Sequence, residues 1–185
     1  MQFSDLNLNK TYSYADYLKW TFEERIEIIK GKAYKMTFDE YVEKEALPDI
    51  IFNEFSRYLK DKSGKIHFVP FNIQVTDSKI LSSEFYIEYN QLQLNESTNV
   101  TTPNIVIAFI SSTNGKVILQ NKYELYEQLG IPEYWIISAT HKSFFRYTLT
   151  DGTYQPSRLM TMGDIITTPI LPGFELNLET VFAGV

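Results

Sequence analysis

Apolar residues recur along this chain at two spacings, and the two spacings separate helices from strands. From about Leu47 to Lys60, apolar residues repeat at helical spacing, and Pro48 suits the first turn of that helix. The segment from about Val117 to Leu129 predicts a second long helix, with Gly130 at the position of a C-terminal cap. A shorter helix is predicted near the N-terminus, where Ser13 is the N-cap residue.

Continuous apolar runs predict strands that are buried on both faces. Ile105–Ile110 is such a run, and we expect it to be a central strand. Tyr134–Ile137 is another, and it follows the second long helix. The order strand, helix, strand indicates a right-handed crossover between parallel strands.

Turn residues between the remaining apolar segments predict two hairpins. The first turns at Lys30-Gly31 and the second at Asp151-Gly152, where glycine accepts the positive φ of a tight turn. Further strands are predicted at Ile66–Val75 and Glu84–Tyr89. With no linker or repeat, the pattern predicts one α/β domain over residues 1–185 with a mixed sheet.

The composition narrows the kinds of site that the chain could hold. It has 185 residues, no Cys and two His, which excludes disulfides, thiolate zinc sites and His-rich metal sites. Any metal would therefore be a hard cation such as Mg²⁺, Mn²⁺ or Ca²⁺ held by carboxylates. The sequence has neither a signal peptide nor an apolar run that could span a bilayer, so we expect a cytoplasmic protein without a membrane partner.

The charge balance bears on nucleic-acid binding. The net charge is −6 and the pI is about 5.0, which counts against a non-specific nucleic-acid binder. DNA stays open as a partner, because an acidic protein can carry a local basic patch. We interpret the cluster of Lys60, Lys62 and Lys65 at one helix end as a solvated face.

Several segments in the same order resemble one known family. The most specific segment extends from Lys122-Tyr123-Glu124 through Gly130-Ile131-Pro132-Glu133-Tyr134-Trp135-Ile136-Ile137. The other segments are Tyr12–Leu18, Arg25–Gly31 and Pro169–Leu178. They resemble the Uma-two family of putative restriction endonucleases, a branch of the PD-(D/E)XK nuclease superfamily. The resemblance implies a restriction-endonuclease-like mixed central β-sheet flanked by helices.

The resemblance also implies a chemistry. In that superfamily an Asp and a Glu on neighbouring strands hold Mg²⁺, and a nearby Lys orients the attacking water or stabilises developing charge. Hard anionic oxygens are required because the metal lowers the pKa of its water and polarises the phosphoryl group. Here Ser83-Glu84 stands where relatives have Pro-Asp, and Lys122 falls on the family's helix Lys.

The next family motif falls without gaps on Pro103–Asn114, and there the acidic residues are lost. The metal-binding Glu corresponds to Ala108, and an upstream Asp corresponds to Asn104. Lys122, Glu84 and Glu27 remain as candidate catalytic residues, and Glu84 and Glu27 as weak candidate metal ligands. Mg²⁺ or Mn²⁺ binding is therefore expected to be weak or absent.

The residues also allow structural interpretations that need no active site. Lys122 lies on the apolar stripe of its helix, so it either reaches a polar pocket or extends its ammonium to solvent. Glu84 and Glu88 lie about 13 Å apart along one strand, and a solvated strand face is the simpler interpretation. Glu27 could face water or pair with a Lys, and His67 and His141 are interpreted as ordinary surface or turn residues.

Three functional hypotheses follow. The preferred one is a nuclease fold with impaired or lost catalysis, which acts as a binding or assembly module and could form a homodimer. The alternative is an active Mg²⁺-dependent DNA endonuclease that uses Glu84, Glu27 and Lys122. A small-molecule role is the third, and no sequence feature supports it.

Overall fold

The computed structural model describes residues 2–24, 26–29, 31–35, 46–76, 79–89, 103–110 and 116–185. Contacts within the chain form two compact units. Unit 1 comprises Met1–Phe38 and Val69–Ser83, and unit 2 comprises Asp39–Phe68 and Glu84–Val185. A single domain over residues 1–185 stays a prediction.

Unit 1 contains a short 3₁₀ helix at Phe3–Asp5, helix α1 at Tyr14–Tyr17, and strands β1 at Ile26–Ile29 and β2 at Lys32–Lys35. The predicted cap of α1 is confirmed, because the Asp16 N–H donates to Ser13 Oγ and the Ser13 N–H donates to Asp16 Oδ2. β1 and β2 form the predicted antiparallel hairpin, and Gly31 has φ 76° in its turn. On its other side β1 pairs with β4 through Ile28 and Ile80.

The remaining elements are α2 at Leu47–Leu59, β3 at Gly64–Thr76, β4 at Lys79–Tyr89, β5 at Ile105–Ile110, α3 at Lys116–Gln128, β6 at Glu133–Ser138, β7 at Ser143–Thr150, β8 at Thr153–Pro156, β9 at Met160–Thr161, β10 at Ile165–Ile166, β11 at Leu176–Asn177 and α4 at Leu178–Ala183. β3 and β4 contribute residues to both units. Among the described residues, no helix has the length and apolar character to cross a membrane.

The sheet of unit 2 is arranged around β5. Its strand order is β4-β5-β6-β7-β8, with β3 beside β4 and β9 beside β7. β5 and β6 pair in parallel over six residue pairs, as the strand, helix, strand pattern predicted. The β4–β5, β6–β7 and β7–β8 pairings are antiparallel, so the sheet is mixed, and the predicted α/β class is confirmed.

Helices cover both faces of this sheet. On one face, Ile105, Ile107 and Phe109 of β5 join a buried cluster with residues of α2 and α4, including Phe55 and Phe182. On the other face lies α3, whose Tyr126 ring is 4.9 Å from the ring of Tyr134 in β6. This explains the apolar character of β5 on both faces.

Most sequence-based boundaries are confirmed within two residues, and the start of β4 is the exception. β4 begins at Lys79 rather than Glu84, and β3 begins at Gly64 rather than Ile66. Lys79, Ser82 and Ser83 interrupt the apolar pattern of β4, so the sequence did not predict a strand there. Backbone pairing with β1 at Ile80 accounts for the longer strand, because this hydrogen bonding does not depend on side-chain type.

A buried carboxylate links the C-terminal segment to the sheet. Glu133, at the start of β6, is 1% exposed. Its Oε2 accepts a hydrogen bond from Trp135 Nε1 at 2.7 Å, and its Oε1 accepts one from Thr168 Oγ1 at 2.9 Å. Arg146 Nη1 lies 3.7 Å from the same Oε1. Burial raises the pKa of Glu133 above its ordinary value, and the three neighbours offset only part of that rise.

Glu133→Gln should change how stability depends on pH. Because the folded carboxyl holds its proton more tightly than the unfolded one, its contribution is full below the ordinary pKa of 4.5 and declines as pH rises to the folded-state value. In wild type, the free energy of unfolding should fall by up to about 1.4 kcal/mol per pH unit in that window because of Glu133, and we expect Glu133→Gln to remove this fall. Urea unfolding between pH 4 and 8 measures it, with exposed Glu175→Gln as the control. Equal pH profiles for wild type and Glu133→Gln would contradict this.

Candidate functional site

Position 108 lies in the middle of the buried sheet. Ala108 belongs to β5, pairs with Ile136 of β6 and is 8% exposed. Across the antiparallel pairing with β4, Phe85 lies opposite Ile107 and Tyr86 opposite Val106. Continued by one residue, this register sets backbone position 84 opposite Ala108. That the two positions which the family resemblance assigns to acidic ligands are neighbours in the sheet stays a prediction.

Lys122 lies on the side of α3 that faces the sheet. It is 4% exposed, so the interpretation in which its ammonium extends to solvent is wrong. Tyr126, one turn further along α3, packs its ring against Tyr134 of β6. Since residues four apart share a helix face, Lys122 also belongs to the sheet-facing side. A buried lysine is uncommon, and this one is placed on the face of β6 that α3 covers.

Glu84 and Glu27 are described only by their backbone. Glu84 lies in β4, and Glu27 lies in β1 of unit 1, where it pairs with Tyr34. The placement of their side chains lies outside what the structure describes. Convergence of the Glu84 and Glu27 carboxylates with the Lys122 ammonium therefore stays a prediction.

Asn104 has a local structural role at the entry to β5. Its Oδ1 accepts a hydrogen bond from the Tyr89 N–H at 2.6 Å, and its own N–H donates to the Ile87 carbonyl at 2.8 Å. Its carbonyl accepts from the Glu133 N–H at 3.2 Å. Asn104 thus joins the ends of β4, β5 and β6. An aspartate at this position could accept the same bond from Tyr89.

Glu88 and His67 form a pair that the sequence analysis missed. Glu88 is 9% exposed, so its interpretation as part of a solvated strand face is wrong. His67 Nε2 lies 3.2 Å from Glu88 Oε2, and the imidazole stacks on the Tyr86 ring with 4.4 Å between centroids. Burial, and secondarily the Glu88 charge, raise the pKa of Tyr86 to about 12.

The spacing of His67 and Glu88 in the sequence carried no signal for this pair. They lie 21 residues apart, and only the pairing of β3 with β4 brings them together. His141, by contrast, is exposed at a turn, as expected, and its Nδ1 lies 3.1 Å from Ser138 Oγ.

The described side chains do not supply the ligand set that the resemblance implies for a metal. Within the described part of the chain, no three His, Asp or Glu side chains lie together in a way that could hold a metal ion. At position 108 the side chain is a methyl group, which offers no oxygen to a hard cation. Metal binding through Glu84 and Glu27 stays a prediction.

Comparison with known proteins agrees with the fold and the motifs. A family model described as Uma2, putative restriction endonuclease, matches residues 14–179. The crystal structure of a putative nuclease belonging to DUF820 from Anabaena variabilis has a TM-score of 0.72 and 12% sequence identity, covering 92% of this chain and 97% of that chain. No curated protein matches the sequence. Since the family model spans most of the chain, the protein belongs to the Uma2 family of putative restriction endonucleases.

Proposed function

We propose that this chain is a family member that does not cleave DNA, and that its nuclease fold serves as a binding or assembly module. The observation that carries the proposal is Ala108, a buried methyl group in the central strand, paired with Ile136 of β6. In the family pattern, the residue at this place provides an acidic metal ligand.

The physical argument concerns the charge around a hard cation. Mg²⁺ and Mn²⁺ need several anionic or polar oxygens, and such an ion positions and activates the attacking water in phosphoryl chemistry. Loss of one carboxylate removes a full negative charge and one oxygen ligand. The remaining candidates, Glu84 and Glu27, would have to compensate for both, and Glu84 is longer by one methylene than the family's Asp.

A second candidate function is an active Mg²⁺-dependent DNA endonuclease with an altered ligand set. The buried position of Lys122 on the sheet-facing side of α3 favours it, because a lysine that had no role would be expected to reach solvent. In this function Glu84 and Glu27 would bind the metal, and Lys122 would serve the water or the scissile phosphate.

The module could act on DNA or on a second copy of the chain. The net charge of −6 does not favour broad contact with DNA, so binding would have to depend on a local surface. A homodimer would fit the assembly role.

Wild-type protein should cleave plasmid or oligonucleotide DNA no faster with Mg²⁺ or Mn²⁺ than with EDTA, because the ligand position at 108 holds no carboxylate. Gel electrophoresis of supercoiled plasmid over several hours measures this. Metal-dependent cleavage that disappears in Glu84→Ala would overturn the proposal and support the endonuclease.

Ala108→Glu should rebuild part of a cation site. Without metal, the new carboxylate in a buried place, with the position 84 glutamate opposite, should lower the melting temperature. With Mn²⁺ at a hundred times its Kd, binding to the folded state should restore about 2.7 kcal/mol, or roughly 5 to 10 °C. Differential scanning fluorimetry with and without millimolar Mn²⁺ measures the shift, which wild type should lack.

Asn104→Asp is the matched control for that experiment. It also adds one carboxylate next to β5, but four residues or about 13 Å from position 108, and it can keep the bond to Tyr89. We expect it to show no Mn²⁺-dependent shift. If Ala108→Glu melts identically with and without Mn²⁺, position 108 does not face a metal site.

A further inference from the structure

A second polar region of unit 2 lies at the turn between α2 and β3. An open cavity of about 260 Å³ is lined there by Lys62, Ser63, Gly64, Lys65 and Glu88. Glu88 is four residues along β4 from position 84, a separation of about 13 Å. The cavity is therefore distinct from the region around Ala108.

Close packing holds this turn in place. A Cβ at position 64 would lie 2.7 Å from Leu59 Cδ2 and 2.8 Å from Tyr89 Cδ2, so only glycine allows the backbone to approach both side chains. The approach fixes the start of β3 against β4. Lys62 and Lys65, on either side of Gly64, are thereby kept at the cavity.

The two lysines present their ammonium groups differently. Lys62 Nζ donates a hydrogen bond to the Tyr58 carbonyl at 2.7 Å and lies 3.9 Å from the centroid of the Tyr58 ring. These contacts hold it at one place and leave further N–H donors for a ligand. Lys65 is exposed, and within the described residues it forms no hydrogen bond or ion pair.

The charge of the lining selects the kind of ligand. Two ammonium groups against the Glu88 carboxylate leave one net positive charge, in a chain whose net charge is −6. The Glu88 carboxylate lies 3.2 Å from His67 Nε2 on the side of β3. One positive charge matches a phosphodiester, which carries one negative charge.

We propose that the cavity at this turn binds a phosphodiester group of a nucleic-acid backbone through Lys62 and Lys65. The inference rests on the proposed function and names the partner of the binding module. The contact is local, so it is compatible with the acidic net charge. It gives Lys62 and Lys65 of the Lys60, Lys62 and Lys65 cluster a role beyond that of a solvated face.

Fluorescence anisotropy of a labelled 20-base-pair duplex, titrated with protein in EDTA, tests the contact. We expect Lys62→Gln/Lys65→Gln to bind roughly tenfold more weakly than wild type at low salt. The magnitude of the slope of log affinity against log salt should fall by about 0.9, the value for one phosphate.

Lys10→Gln/Lys19→Gln is the control, because it removes the same charge from two exposed lysines of unit 1. It should leave most of the affinity and the salt slope unchanged, and circular dichroism checks that both double variants fold. Absence of duplex binding by wild type, or an equal loss of affinity in both double variants, would overturn the inference. If the proposed function is wrong, the protein will cleave DNA in the assay with Mg²⁺ or Mn²⁺. The anisotropy titration contains EDTA, which prevents cleavage, so it tests the phosphodiester contact separately.

Discussion

The burial of β5 on both of its faces is the constraint on which unit 2 depends. One face of β5 packs against α2 and α4. The opposite face of the sheet is covered by α3, which contacts the neighbouring strand β6. Because β5 pairs in parallel with β6, the connection between them has to cross the sheet, and α3 makes that crossing. The same pairing sets Ala108 and the buried Lys122 in the central part of the unit. The environment of the candidate site is thus a direct consequence of how the central strand is covered.

Three buried charged residues differ in how the fold accommodates them. Glu133 has two direct donors and a nearby arginine, and it joins β6 to the segment around Thr168. Glu88 is paired with His67 on the neighbouring strand. Lys122 lies on the sheet-facing side of a helix, at the position where the family resemblance places a catalytic lysine. Burying a charge is costly without compensation, so each of these residues marks a place where specific neighbours are needed.

The sequence predicted the helices, the hairpins and the central strands well, because those signals are local. An apolar repeat, a capping serine or a glycine in a turn acts within a few residues of itself. The family motifs added Lys122, Glu84, Glu27, Ala108 and Asn104 as positions to inspect. The extension of β4 back to Lys79 could not be predicted in this way, because it depends on backbone pairing with β1.

The sequence by itself determined the α/β class, the order of the elements, the family and the identity of the residue at position 108. Only the tertiary structure decided that Lys122 is buried rather than solvated, that Glu88 is paired with His67, and that Lys62, Lys65 and Glu88 line one open cavity. The physical reason is that these environments are made by residues far apart in the chain, which strand pairing and helix packing bring together. Periodicity reports which face of an element is apolar, but the neighbour of a charged side chain is set by strand pairing and by helix packing.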